Sequence, residues 1–158
     1  MSEYGLFYRN WKNKIFNYLM RMTGDGSLAS DIMQETFARH LEHYGQDNRE
    51  IPLLYGIARN LFTDELRRRK HEAAGEKEGE EPSLDQDHHL MVRSEYRRVL
   101  TTMKLLDEDE REILALAVGE DLSYREIAAL VGISEVNVKV KLHRARIKLR
   151  EKLKEEDG

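Results

Sequence analysis

The sequence predicts an all-α protein with two small helical domains joined by an acidic flexible linker, the C-terminal domain being a helix-turn-helix. Three observations lead to this prediction. Apolar side chains recur at i, i+4 and i+7 along almost every segment, which is the period of an amphipathic helix. The 158 residues include only 10 glycines and 2 prolines, too few for a β-rich chain with many turns. Residues 71–90 carry almost no large apolar side chain, so they cannot bury enough surface to offset the entropy of ordering. This segment separates a domain at 1–70 from a domain at 91–158.

The composition excludes several classes of protein. The chain has no cysteine, which rules out disulfide scaffolds, cysteine-ligated zinc and thiol catalysis. No apolar run approaches the roughly 18 residues of a membrane span, and the N-terminus lacks the basic-then-apolar order of a signal peptide. We therefore expect a cytoplasmic protein with no cofactor and no metal.

The first domain has the pattern of three helices. An apolar stripe predicts the first over about 6–22, and Ser27 is the predicted N-cap of a second helix over about 27–43. Pro52 fits the first turn of a third helix over about 52–70. The predicted inward-facing side chains of the second and third helices are Leu28, Ile32, Phe37, Leu41, Leu54, Ile57, Ala58, Leu61 and Leu66.

The second domain begins with a predicted helix over about 91–106. Asp107 and Glu110 then have the spacing of a capping box, which predicts a further helix that ends near Gly119.

The remaining residues have the pattern of a helix-turn-helix. Ser123 and Glu126 form another capping box, at the start of a short helix that Gly132 ends. Ser134 is the predicted cap of a final helix to about Lys154, whose apolar residues step by 4, 3 and 4. In such a motif the N-terminal end of the second helix enters the DNA major groove. The apolar residues of this second helix are Val138, Leu142, Ala145 and Leu149.

The distribution of charge supports DNA binding, although the net charge is −4. Residues 139–154 contain eight lysines or arginines and one acidic residue, and a second basic run lies at 67–70. On the final helix, Asn137 is suited to an adenine edge and Glu135 to a cytosine amino group. The remaining polar residues, Lys139, Lys141, Arg144 and Arg146, are suited to phosphates. The alternatives are solvated helix ends and a helical hairpin that packs against a protein partner.

Two stretches of the first domain also carry polar residues in a pattern. Asp31, Gln34 and Glu35 share one face of the second helix, which indicates a surface for a protein partner or plain solvation. The third helix has an interior Asn60 and a cationic end, which is unusual for a merely structural helix.

Three motifs together resemble a known family. They are DIMQETF at 31–37, LLYGIARNLFTDELRRR at 53–69 and LSYREIAALVGISEVNVKVKLHRARIKLR at 122–150. In residues, order and spacing the chain resembles a bacterial RNA polymerase sigma factor of the extracytoplasmic-function group.

The resemblance implies a role for each motif. Asp31, Gln34 and Glu35 would dock on the clamp helices of the largest polymerase subunit. In the first domain, the residues implied to bind the promoter −10 element, where a base is captured from separated strands, are Gln46, Asp47, Asn48, Arg49, Arg59, Asn60, Arg67 and Arg68. In the second, the residues implied to bind the −35 duplex are Arg125, Ser134, Glu135, Asn137, Lys139, Lys141, Arg144 and Arg146. The implied partners are core RNA polymerase, promoter DNA and an anti-sigma factor, with the linker running toward the active-site channel.

Two features depart from the family pattern. Pro52 and Leu53 stand where the family often has tryptophan, and Asn137 stands where it often has threonine. Both departures bear on which promoter sequence is read, and not on the class of protein.

Two other functions remain open on the sequence alone. One is a stand-alone helix-turn-helix regulator that does not bind polymerase, because this motif is widely reused. The other is a metal-dependent enzyme built on His40, His43, His88 and His89. The chain has no HExxH, P-loop or nucleophile-elbow motif, which makes the enzyme the weaker hypothesis.

Overall fold

A computed structural model describes residues 2–73 and 94–157, and this part of the chain contains helices and no strands. The all-α prediction is therefore confirmed. Of the predicted linker at 71–90, the first three residues continue the third helix and the rest lie outside the described residues. Within the described part, no helix has both the length and the apolarity that a membrane crossing requires. The helices are α1 (Glu3–Thr23), α2 (Gly26–Tyr44), α3 (Ile51–Ala73), α4 (Ser94–Met103), α5 (Glu108–Val118), α6 (Tyr124–Val131) and α7 (Glu135–Asp157).

The turn between α1 and α2 differs from the prediction. Gly24 ends α1 in the left-handed region at φ 68°, a conformation that glycine adopts without a steric penalty. Asp25 caps α2, because its Oδ1 accepts the backbone N–H groups of Ser27 and Leu28 at 3.0 and 3.2 Å. The prediction of Ser27 as the cap is wrong by two residues, since Ser27 already lies in the first turn.

The capping box predicted for α5 is also absent. Asp107 is the N-cap residue, but its side chain makes no capping hydrogen bond. Glu110 turns inward instead, where it is 6% exposed and accepts a hydrogen bond from the Lys148 ammonium at 2.9 Å. The ion pair between Glu110 and Lys148 thus takes the place of the expected capping hydrogen bond.

The helix-turn-helix forms from its local signals. Both bonds of the Ser123–Glu126 capping box are present, at 2.8 and 3.0 Å. Gly132 has φ 77°, and Ser134 Oγ accepts the Asn137 backbone N–H at 3.1 Å. Three predicted core residues of α7 are buried: Val138, Leu142 and Ala145.

One hydrophobic core runs through both halves of the chain. In the N-terminal half α1 packs on α2 and α3, and in the C-terminal half α5 packs on α6 and α7. Helix α1 also packs on α5, and α3 on α6, which joins the two halves. The core side chains with the least exposure include Ile15, Tyr18, Leu54, Ile113, Leu116 and Ile127. Leu41, predicted to face inward, is 40% exposed, so that prediction is wrong.

Buried polar contacts join the same two halves. Asp121, in the turn after α5, accepts hydrogen bonds from Lys14 and from the Tyr55 hydroxyl, each at 2.9 Å. Arg21 donates to the Ala115 carbonyl at 3.0 Å, and Arg111 donates back to the Arg21 carbonyl at 3.0 Å. Burial lowers the pKa of Arg111 to about 10, so its guanidinium is still charged at pH 7. The bonds from Arg21 and Arg111 satisfy two main-chain carbonyls, Ala115 near the end of α5 and Arg21 near the end of α1.

Arg59 makes further polar contacts between the halves. Its guanidinium donates two hydrogen bonds to the Glu112 carboxylate of α5, at 2.5 and 3.3 Å, and one to the Leu130 carbonyl at 3.2 Å. Gly56 lies opposite Leu130, and a Cβ there would come within 3.2 Å of the leucine methyl. The absence of a side chain at Gly56 lets α3 approach α6 closely.

Two acidic residues of α5 provide a matched test of this interface. Glu112 is 16% exposed in its pair with Arg59, whereas Glu108 is 76% exposed in its 3.7 Å pair with Lys70. We expect Glu112→Ala to lower the free energy of unfolding by about 2 kcal/mol, because it leaves a partly buried guanidinium without its partner. The control Glu108→Ala should change it by less than about 0.5 kcal/mol. Urea unfolding followed by circular dichroism measures both, and equal effects would contradict the interface described here.

Candidate nucleic-acid interface

The N-terminal end of α7 is exposed around most of its circumference. Glu135, Asn137 and Lys139 are exposed, and so are the apolar Val136 at 67% and Val140 at 40%. Farther along α7, Arg144 and Arg146 are exposed as well, and Arg125 is exposed in the first turn of α6. Ser134 serves as the cap of α7, with its hydroxyl turned to the helix backbone. The structure thus presents most of the predicted −35 residues to solvent.

Lys141 is the exception within the predicted −35 set. It lies at the edge of the exposed surface, half-buried, with its ammonium 2.6 Å from the Asp109 carboxylate. This hydrogen bond lowers the pKa of Asp109. Asp109 therefore competes with a DNA phosphate for Lys141.

The predicted −10 residues of α3 fall into two groups. Arg67 and Arg68 are exposed, and among the described residues they pair with acidic residues of their own helix. Arg59 is half-buried and bonded across the interface to Glu112, whose hydrogen bond raises the Arg59 pKa. In this arrangement Arg59 therefore faces the other half of the protein and not solvent.

Acidic side chains of α5 supply the partners of several cations. Four residues in its first turns pair with basic residues of α3 and α7. The acidic residues are Glu108, Asp109, Glu110 and Glu112, and their respective partners are Lys70, Lys141, Lys148 and Arg59. Two of these cations, Arg59 and Lys141, belong to the predicted DNA-binding sets.

The predicted loop at 46–50 is bonded to the protein behind it. Gln46, Asp47 and Arg49 are exposed, and Asn48 is half-buried. The Arg49 guanidinium folds back over the Phe7 ring, 4.9 Å from its centroid, and donates to the carbonyls of Gln46 and Asn48. The loop therefore has a defined conformation in the free chain.

Asn60 is exposed beside a small pocket at the end of α2. The pocket has a volume of about 170 Å³, and its lining includes Asn60, Arg39, His43 and Tyr44. Tyr44 is 49% exposed and leads directly into the loop at 46–50. The sequence analysis did not single out Tyr44, although an aromatic residue directly before a loop predicted to bind single-stranded DNA is of the type on which bases stack.

The polar stripe of α2 lies on the outside of the N-terminal half. Asp31, Gln34 and Glu35 are all exposed, and Glu35 pairs with Arg39 at 2.9 Å. The opposite face of α2 is buried against α1 and α3. The three residues thus form a surface that no other described part of the chain covers.

The described histidines are not gathered into a cluster of metal-binding side chains. Over residues 2–73 and 94–157, no three histidine, aspartate or glutamate side chains are placed together to hold a metal ion. His40 is bonded to Tyr4 and Asn48. His88 and His89 lie outside the described residues.

Comparisons with known proteins agree with this geometry. The family model described as "Sigma-70 region 2" matches residues 7–72, and the one described as "Sigma-70, region 4" matches residues 96–149. The ECF RNA polymerase sigma factor SigM of Bacillus subtilis is 34% identical over 150 residues, which cover 90% of each chain. The RNA polymerase sigma factor CarQ of Myxococcus xanthus is 34% identical over 146 residues, or 90% of this chain and 84% of CarQ.

Solved structures share the fold. The sigma factor RpoE of Bartonella quintana, in complex with the anti-sigma factor NepR, superposes with a TM-score of 0.76 over 98% of both chains, at 20% identity. CnrH, in complex with the cytosolic domain of CnrY, has a TM-score of 0.69 over 96% of this chain and 87% of its own, at 23% identity. Two family models in the expected order and full-length relatives identify the chain as a member of the sigma-70 family, an extracytoplasmic-function sigma factor that directs RNA polymerase to promoters.

Proposed function

We propose that the two halves of this sigma factor divide promoter recognition between them. Residues 1–70 bind core polymerase and the −10 element, residues 91–158 bind the −35 element, and 71–90 connect them. The observation that carries the proposal is the exposed N-terminal end of α7, where base-reading and phosphate-binding side chains surround the start of the helix. The protein acts by binding alone, without chemistry of its own, and works in the cytoplasm beside the polymerase.

Core polymerase binds the outer face of α2. Asp31, Gln34 and Glu35 are exposed there and offer two carboxylates and an amide to a basic or polar partner surface. This face is separate from the buried side of α2, so a partner can occupy it without disturbing the core.

The −10 element is read at the junction of the 46–50 loop with α3. A base taken out of the stack needs hydrogen-bonding groups at its edge and an aromatic surface at its face. Asn60 and the loop residues supply the hydrogen-bonding groups. Tyr44, which lines the same pocket as Asn60, supplies the aromatic surface. Arg67 and Arg68, farther along α3, hold the backbone phosphates.

The joined arrangement of the two halves is the inactive form. Arg59 reaches a phosphate only after it leaves Glu112 and the Leu130 carbonyl, and that requires the halves to separate. Polymerase binding provides the free energy that separates the two halves. An anti-sigma factor that binds both halves at once keeps them together.

The role of Asn60 is tested in transcription. We expect Asn60→Ala to reduce open-complex formation about tenfold, because base capture loses a hydrogen-bonding group in a pocket, while the affinity for core polymerase is unchanged. Run-off transcription and footprinting with purified bacterial core polymerase measure opening, and co-elution measures core binding. Asn13→Ala, an exposed change on α1, is the matched control. Equal opening by the Asn60 variant and the wild type would remove this role.

Phosphate contact and base contact on α7 give different signatures. Lys139→Ala should weaken binding to all promoters alike and reduce the slope of log affinity against log salt by about one. Asn137→Ala should weaken binding at one −35 base pair by about 1 to 3 kcal/mol and leave the salt slope unchanged. Binding of polymerase holoenzyme to a panel of −35 variants at several salt concentrations measures both. A base-specific effect of Lys139→Ala would contradict the assignment.

A further inference from the structure

His40 is a fully buried histidine with partners at both ring nitrogens. It lies at the C-terminal end of α2, and its solvent exposure is 0%. Nδ1 lies 3.0 Å from the Tyr4 hydroxyl, and Nε2 lies 3.2 Å from Asn48 Oδ1. The rings of Phe7 and Tyr44 lie 5.5 and 6.0 Å from the imidazole, centroid to centroid. A phenylalanine would fill such a site without requiring polar partners, so the choice of histidine needs a reason.

The hydrogen-bond network assigns the direction of the bond to the loop. Asn48 Oδ1 already accepts the Glu50 backbone N–H at 2.9 Å, and Asn48 Nδ2 donates to the Glu50 carboxylate at 3.3 Å. The Asn48 oxygen therefore faces the imidazole, and His40 Nε2 carries the hydrogen. In the neutral imidazole with its hydrogen on Nε2, Nδ1 is the acceptor and faces the Tyr4 hydroxyl, whose hydrogen also reaches the Phe37 carbonyl at 3.0 Å. Nε2–H then donates to Asn48.

The hydrogen bond between His40 and Asn48 determines how the 46–50 loop packs against the rest of the protein. Asn48 bonds at once to His40 behind it and to Glu50 beside it, which closes the loop on itself. Next to it, Arg49 lies over the rings of Phe7 and Tyr4. The first turns of α1 and the end of α2 thus form a base for the loop, and His40 is the polar link between that base and Asn48.

We propose that His40 is a positioning residue for promoter recognition: its Nε2–H fixes the Asn48 amide and so presents the 46–50 loop to the −10 element in one conformation. A loop held in its binding conformation loses less entropy when DNA binds and distinguishes bases more sharply. The inference rests on the proposed role of this loop in reading the −10 element. In this proposal His40 does not contact DNA and acts only through Asn48.

Two amide substitutions separate positioning from core packing. The side-chain nitrogen of His40→Gln reaches about as far as imidazole Nε2, whereas that of His40→Asn reaches only about as far as Nδ1. Both variants lose the ring, so both should lower thermal stability to a similar extent. We expect His40→Gln to keep −10 base discrimination within about twofold of the wild type and His40→Asn to lose about fivefold, the effect of one net hydrogen bond. The measurement is run-off transcription by the full-length protein with core polymerase on promoters varied at each −10 position. Glu42→Gln, an exposed change on the same helix, is the control.

Hydrogen exchange of the free protein gives a readout that does not involve DNA. The Glu50 amide, which donates to Asn48 Oδ1, should exchange about fivefold faster in His40→Asn than in His40→Gln. Equal exchange in the two variants, or equal base discrimination, would overturn the positioning role. If neither amide variant folds, His40→Phe keeps a ring without the donor and should show the fivefold loss, and wild-type discrimination by it would overturn the inference.

Changes within the loop separate this inference from the proposed function. Gln46→Ala and Asp47→Ala alter exposed side chains that are not among the hydrogen-bond partners of His40, which are Tyr4 and Asn48. If both leave −10 discrimination unchanged, the loop does not read the −10 element, and the promoter role of His40 is lost with it. If they change discrimination while His40→Asn and His40→Gln behave alike, the loop assignment stands and the positioning role alone is wrong.

Discussion

The acidic first turns of α5 fix the positions of both α7, in the same half of the molecule, and α3, in the other half. Glu110 binds Lys148 and so secures α7, while Glu112 binds Arg59 and so secures α3. The side chains of Glu110 and Glu112 are only 8% and 16% exposed, respectively. Breaking either pair therefore leaves a desolvated charge without a partner. The pairs made by Glu108 and Asp109 are more exposed and contribute less. One short helix, α5, thus connects α7 to the N-terminal half.

The same pairs link stability to function. Arg59 and Lys141 are residues that the resemblance assigns to promoter DNA, and in the free protein each is bonded to a carboxylate of α5. Those carboxylates and DNA phosphates are alternative partners for the same cations, but only the Arg59–Glu112 pair joins the two halves, since Lys141 and Asp109 both lie in the C-terminal half. The exposed start of α7 lies outside this competition. In the proposed mechanism, −35 recognition is therefore available before the halves separate, and −10 recognition through Arg59 follows separation.

Local signals in the sequence predicted most of the fold and only part of the site. Ser123, Gly132 and Ser134 act on backbone groups within a few residues, and the helix-turn-helix they predict is present. The Asp107–Glu110 capping box failed because Glu110 bonds to Lys148, 38 positions away. The sequence marked His40 only as a candidate metal ligand and not as the partner of the loop, because one of its two partners, Tyr4, is 36 positions distant. Tyr55 shows the same effect of distance: it is buried, and its hydroxyl bonds to Asp121, 66 positions away.

The distance between the two halves tests the central claim most directly. Because the chain has no cysteine, Asn17→Cys on α1 and Glu151→Cys on α7, both at exposed positions, provide two unique sites for a fluorescent donor and acceptor. Energy transfer is measured in the free protein, with core polymerase, and with core polymerase and promoter DNA. The account predicts high transfer in the free protein and a marked decrease when core polymerase binds. Transfer that stays high in a complex able to open promoters would contradict it, because Arg59 would then remain bonded to Glu112 during −10 recognition.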